Sequence, residues 1–421
     1  MPDLDPLTSL SPNNSPSASN PKAWPFTPEK FKRLLLYVGL YFFSVYVLGY
    51  AQIWHGYFDI HGNIIAADFV AFWAAAKFVV GHHVADLFDP QLFRDSINSI
   101  FHHDYAKLSA WGYPPILLLW ISWTGYLSYV PAYILWMGII LGLYLCAVTF
   151  GRSQPWQLSG LLLFAPATLQ NIIGGQNGFL SAALLVGGLR LLDKNPTIAG
   201  ILFGCMAYKP QLAVLIPIAL IIGGYWRSLF YAGLTACVLI GLTIVFYGMD
   251  PWLVYFEKTA PCLKHLMSLD AKTLGIFAQK MPTFFMAARI LGTPLSVAYG
   301  LTLITATLAI FGVYYTFRHT NAVDLRAAVF LTAVFLTSPY AFAYDLTILT
   351  AGLICLLEAT GSRLRKLDFC VIALAWILPH LVFYLNLYMV PISPLIISAL
   401  LLVELRLVRD GARTLPTQTN Q

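Results

Sequence analysis

Four short polar clusters interrupt a chain that is otherwise almost continuously apolar, and each carries side chains able to do chemistry. Asp68 opens the run ADFVAFWAAAKF. A carboxylate there can act as a general base, taking the proton of a hydroxyl as it attacks an activated carbon. Its competing role is a helix N-cap, a position that favours Asp. Tyr113 precedes Pro114 and Pro115 at the entrance of an apolar run. The two prolines suit a first helical turn, and Tyr113 is placed either to line a site opposite Asp68 or only to set entry geometry. Gly174-Gly175-Gln176-Asn177-Gly178 joins two apolar runs. Glycines permit a tight turn, and Gln176 and Asn177 are able to bond hydroxyls or phosphate oxygens. The segment lacks the Lys-Ser/Thr ending of a phosphate-binding P-loop. Lys209 lies with Tyr208, Pro210 and Gln211 deep in an apolar run. A lysine is costly there unless it snorkels to an interface or meets an anion such as phosphate.

Two weaker features add to these. Residues 249–290 hold Lys258, Lys264, His265, Lys272, Lys280 and Arg289 against Asp250, Glu257 and Asp270. This net basic loop suits an anionic lipid phosphate, although long loops also escape the usual charge bias. Tyr344 and Asp345 close the sequence YAFAYD at the start of another apolar run. Asp345 is either a second polar contact or a helix-start charge. The pairs His82-His83 and His102-His103 invite a metal site. Adjacent helical histidines point apart, however, and no acid stands at ligand spacing, so no metal is assigned.

The elements that must position these groups are membrane helices. The 421 residues are 58% hydrophobic and only 10% charged, with mean hydropathy +0.71. A soluble domain carries about 25% charged residues, so the bilayer rather than water is the solvent for most of this chain. Apolar segments lie near 34–53, 114–129, 131–149, 157–173, 178–192, 197–222, 228–248, 295–317, 323–337, 341–358, 368–386 and 390–408. Each approaches the ~20 residues that cross a bilayer. The reading is all-α: a polytopic bundle of about twelve spans, with interfacial helices in the first non-cytoplasmic loop, such as 67–80. Pro210 divides the 197–222 run into a kinked helix or a re-entrant pair.

Residues 1–30, rich in Ser, Pro and Asn, read as a disordered cytoplasmic tail. Residues 31–410 form the membrane domain, and 411–421 a short polar tail. Lys30, Lys32 and Arg33 before the first span place the N-terminus in the cytoplasm and the stretch 54–112 on the opposite side. The net charge of +6 comes mostly from residues flanking apolar runs, so nucleic acid is not an expected partner. Six cysteines without CxxC spacing suggest neither disulfides nor zinc.

In order and spacing, Asp68–Trp73, Tyr113–Pro115, Gly175–Gly178 and Ala199–Gln211 resemble the polyprenol-phosphate-sugar-dependent glycosyltransferases of family 87. That family has the GT-C fold and includes the mycobacterial phosphatidylinositol mannoside mannosyltransferase. The resemblance covers roughly residues 34–360. It implies transfer of one hexose, mannose as the first choice, from a polyprenyl-phosphate donor to a lipid or glycan acceptor. The reaction would occur on the non-cytoplasmic face of a bacterial inner membrane, without a cofactor. It implies Asp68 as the base, with Tyr113, Gln176, Asn177, Lys209, Gln211, Tyr344, Asp345 and Arg289 toward substrate or donor. The chain departs from many relatives at 340–345, where AFAYD replaces a Trp/His-containing motif. A multi-span transporter or lipid-sugar flippase is the alternative function, and it would use the same intramembrane charges as substrate contacts.

Overall fold

The computed structural model describes residues 27–55, 58–59, 64–101, 110–360 and 363–414. Most of the expected N-terminal tail, the end of the C-terminal one, and His102-His103 lie outside the described residues. Within them the first helix begins at Pro28 and the last continues to Thr414. The fold is helical. A two-residue pairing of Trp54–His55 with Phe58–Asp59 is the only extended ladder among the described residues.

Among the described residues six helices are long and apolar enough to cross a membrane, where the sequence suggested about twelve spans. They are Pro28–Gly49, Tyr129–Thr149, Trp226–Tyr247, Leu295–His319, Ala343–Thr360 and Lys366–Leu387. Other apolar runs are divided into pieces shorter than a span, and proline is the common cause. Pro155 and Pro166 start the helices Pro155–Leu163 and Pro166–Gly174, which replace one run. Pro196 and Pro210 start Pro196–Cys205 and Pro210–Ala213, with the one-turn helix Met206–Tyr208 between them. Proline lacks the N–H that an interior helical residue donates, but it tolerates a first turn. Each break therefore lets the backbone turn inside the protein. The expected interfacial helix is Phe69–Val80, whose Phe69, Phe72 and Ala74–Ala76 are buried.

The centre of the bundle is Val323–Thr337 with Thr347–Thr360, apolar on nearly every face and almost wholly buried. A helix hydrophobic all round has no solvent face and belongs in the interior of a bundle. Charges collect at its two ends. At one end, Arg152 grips Asp324 through two nitrogens, at 2.7 and 3.1 Å, and Lys32 meets Glu358 at 2.7 Å. The other end carries Asp345. It stands thirteen residues from Glu358 along one helical stretch, or about 20 Å at 1.5 Å per residue. Beyond the spans, Lys258 hydrogen-bonds Asp89 and joins the segments near 89 and 258. That ammonium holds the Asp89 carboxyl below the usual carboxylate range.

Pro196–Cys205 lies against Trp226–Tyr247 at backbone contact. A Cβ on Gly200 would stand 2.5 Å from the Ser228 carbonyl, and one on Gly204 2.5 Å from Thr235 Cβ. Small residues at helix interfaces permit such approach in membranes. Gly204→Val is therefore expected to destabilise the protein by about 1–3 kcal/mol. Gly233→Ala, where an added Cβ meets nothing within 4 Å, is expected to be neutral. Thermal unfolding in detergent compares the two.

Candidate functional site

Asp68 stands at the N-cap position of Phe69–Val80, yet its side chain caps nothing. Its φ of −77° and ψ of −23° are already helical, which turns the carboxylate away from the first-turn amides. The carboxylate is partly exposed instead. Its Oδ2 lies 3.8 Å from Lys280 Nζ, with the two side chains 32% and 36% exposed. At that distance the pair is an ion contact rather than a tight hydrogen bond. It is also the only ion pair of Asp68 among the described residues.

The turn that delivers Asp68 is fixed from both sides. Ala66 has a φ of +52°, in the left-handed region that L-residues avoid. The Tyr129 hydroxyl contacts the Ile65 carbonyl at 2.7 Å and that of Ala66 at 2.9 Å, and Phe69 N closes on Ala66 O at 2.7 Å. On the far side Asp68 N donates to the Gly174 carbonyl at 3.1 Å.

The segment Gly174–Gly178 is a packing device as well as a turn. Gly175 ends Pro166–Gly174 at a φ of +69°, and a Cβ on it would stand 2.5 Å from Phe69 Cβ. A Cβ on Gly174 would approach Asp68 Oδ2 to 3.2 Å. One on Gly178 would meet the Tyr344 carbonyl and Asn171 Nδ2 at 2.2 Å. Asn171 Nδ2 donates to that same Tyr344 carbonyl at 3.1 Å. Three glycines thus press this segment against both Asp68 and the chain at 344. Gln176 is 8% exposed, and its side-chain oxygen has no partner among the described residues. A buried acceptor left unmet is costly.

Lys209 and Asp345 have found each other. Both side chains are 1% exposed and their charged atoms are 2.5 Å apart. Lys209 also donates to Asn177 Oδ1 at 2.9 Å, and Asp345 Oδ2 accepts from Phe342 N at 3.0 Å. The Tyr344 ring centre lies 5.0 Å from the ammonium and that of Tyr113 6.0 Å. Lys209 is therefore buried against a protein carboxylate rather than snorkelling to an interface. Its charge is neutralised inside the protein, where a buried ion is tolerated only with a partner. Asp345 combines the helix-start role with that of counter-ion, and its carboxylate is turned away from any opening.

Tyr113 and Tyr344 are half-buried and flank this pair. Gln211 is partly exposed in the next short helix, and its side chain makes no hydrogen bond among the described residues. The Arg289 guanidinium donates to the carbonyls of Thr293, Ser268 and Leu269, at 2.9, 3.2 and 2.9 Å, which fastens its own loop, while its Nε has no partner among the described residues. Lys280 is the loop cation that stands beside Asp68. In the sequence it was one of six basic residues in the loop, and only the loop's net charge pointed to it. Ala343 N holds its carbonyl at 2.8 Å. The three residues Asp68, Lys280 and Tyr344 thus come from segments more than sixty residues apart.

Removing one partner of the buried pair separates its structural role from a substrate role. Lys209→Met is expected to destabilise the protein by about 3–5 kcal/mol, because it strands a buried carboxylate. Lys209→Met with Asp345→Leu is expected to recover most of that loss. Unfolding midpoints of wild type, single and double variants in one detergent read the difference.

A family model described as glycosyltransferase family 87 matches residues 111–339. No curated protein and no solved structure matches the chain. The matched residues include Tyr113, the Gly174–Gly178 segment, Lys209 and Lys280. They exclude Asp68 and Asp345, which the fold brings to the same place.

Proposed function

The chain belongs to glycosyltransferase family 87, and from that premise we propose that it moves one hexose, mannose as the first choice, from a polyprenyl-phosphate donor to a lipid or envelope-glycan acceptor. Membership makes it a membrane-embedded glycosyltransferase and gives no support to the transporter alternative. The reading beyond that rests on one observation: an open carboxylate and an open ammonium, Asp68 and Lys280, stand side by side at 3.8 Å.

These are the two groups that displacement at a sugar–phosphate carbon requires. The acceptor hydroxyl oxygen forms a bond to the anomeric carbon, and the bond from that carbon to the phosphate oxygen breaks. Asp68 takes the hydroxyl proton. The bonding electrons leave with polyprenyl phosphate, and Lys280 meets the negative charge that grows there. Such fixed charges, directed at developing charge, are often the largest contribution to catalysis. One displacement inverts the anomeric centre. Gln176, with its unmet oxygen, receives a hydroxyl of the bound sugar, and Tyr113 and Tyr344 supply ring faces beside it. A polyprenyl chain cannot leave the bilayer, which suits a site at the end of the helix bundle away from Lys32 and Arg152. By the distribution of Lys and Arg, that end faces away from the cytoplasm, across a bacterial inner membrane.

The test is sugar transfer by purified protein in lipid. Radiolabelled polyprenyl-phosphate mannose, glucose and arabinose are supplied in turn, with an envelope-lipid extract as acceptor. Asp68→Asn is expected to lower kcat by about 10²–10⁴-fold, the usual worth of a general base. Lys280→Met is expected to raise the donor KM with a smaller effect on the acceptor. Full turnover by Asp68→Asn would remove the carboxylate from the mechanism.

A further inference from the structure

Asn386 lies near the end of Lys366–Leu387, beyond the residues that the family model matches. It is 4% exposed. Its side-chain nitrogen approaches three backbone carbonyls: Ala278 at 3.3 Å, Gln279 at 3.1 Å and Met281 at 3.0 Å. These carbonyls bracket Lys280. The helix Ile276–Gln279 is a single turn, and Lys280 is its C-cap. The last carbonyls of a helix have no intrahelical donor, and buried ones need a donor from elsewhere. Asn386 supplies it on both sides of Lys280, while Ala343 N donates to the carbonyl of Lys280 itself. The carbonyls of 278, 279 and 281 are thereby reached by Asn386, and that of 280 by Ala343. Thr283 adds a fifth tie, its hydroxyl 3.0 Å from the Pro339 carbonyl.

We infer that Asn386 is a positioning residue, which fixes the Lys280 turn so that the ammonium stands opposite Asp68. The inference rests on the reading of Lys280 as the donor-phosphate contact. A lysine has four rotatable side-chain bonds, so the only firm control over its ammonium is the placement of its backbone. An amide is suited to that control here, because its two N–H groups reach these carbonyls without bringing a charge. Aspartate would set a carboxylate against three carbonyl oxygens, and leucine would leave those of Gln279 and Met281 without the Asn386 donor. A group that orients another, without touching substrate, typically acts through small displacements of the reacting geometry.

The test uses the full-length enzyme in lipid and whichever labelled polyprenyl-phosphate hexose supports transfer. Asn386→Ala is expected to raise the donor KM about tenfold, to leave the acceptor KM unchanged, and to add nothing further in a Lys280→Met background. Backbone amide exchange is expected to quicken at 276–281 and to stay unchanged along Lys366–Leu385. An equal rise in KM in both backgrounds overturns the inference, as does faster exchange spread through the bundle. If Lys280→Met raises the donor KM and Asn386→Ala does not, the inference alone fails. If Lys280→Met leaves the donor KM unchanged, the phosphate reading of Lys280 fails and this inference goes with it. Should Asn386→Ala not fold, Asn386→Ser keeps one donor and is judged by the same comparisons, with a smaller rise expected.

Discussion

The buried contact between Lys209 and Asp345 is the constraint on which the site depends. Neither charge is tolerable alone in the low-dielectric interior, where desolvation costs several kcal/mol for each ion. Together, with Asn177 on the ammonium and Phe342 N on the carboxylate, they are satisfied. Each partner brings a segment with it. Asn177 carries Gln176 and the glycines that touch Asp68. Asp345 carries residues 342–344, whose backbone holds Lys280. The two halves of the opening are thus registered against each other through one closed set of hydrogen bonds.

That closed set explains why the open charges stand out. Lys209 and Asp345 have spent their bonding capacity on each other and on their neighbours. Asp68 and Lys280 have not: they are a third exposed and separated by 3.8 Å. Their contact is loose enough to yield to a hydroxyl or a phosphate oxygen. Gln176 adds a buried oxygen without a donor. The fold therefore sorts its polar groups into two kinds. Some fix geometry through hydrogen bonds within the protein. A few, as proposed above, are left for a substrate.

Close backbone approach makes this sorting possible. Gly174, Gly175 and Gly178 remove the Cβ atoms that would collide with Asp68, Phe69 and Tyr344. Ala66 holds a left-handed φ, a conformation that costs a non-glycine residue about 1–2 kcal/mol. The Tyr129 hydroxyl anchors the turn that contains it. Strain of this kind persists where surrounding contacts over-determine the backbone. Here the strained turn lies two residues before the proposed base.

The sequence by itself determined the solvent of this protein and the identity of its polar clusters. Hydropathy is a local property, so long apolar runs were legible without a fold. So were the marked residues 68, 113, 176–177, 209 and 345, because a polar group in an apolar run is conspicuous wherever the run goes. The number of spans was not legible, since a proline shows where a helix breaks but not whether the pieces cross the membrane together. Nor did the sequence show which charges would meet. Asp345 and Lys209 are 136 residues apart, and nothing local to either says that they neutralise each other rather than a ligand. Lys280 had the converse problem. It was one lysine among several in a polar loop, and it gained its place only when Ala343 and Asn386 fixed its backbone. Electrostatic role depends on distance and burial, and both are properties of the packed structure.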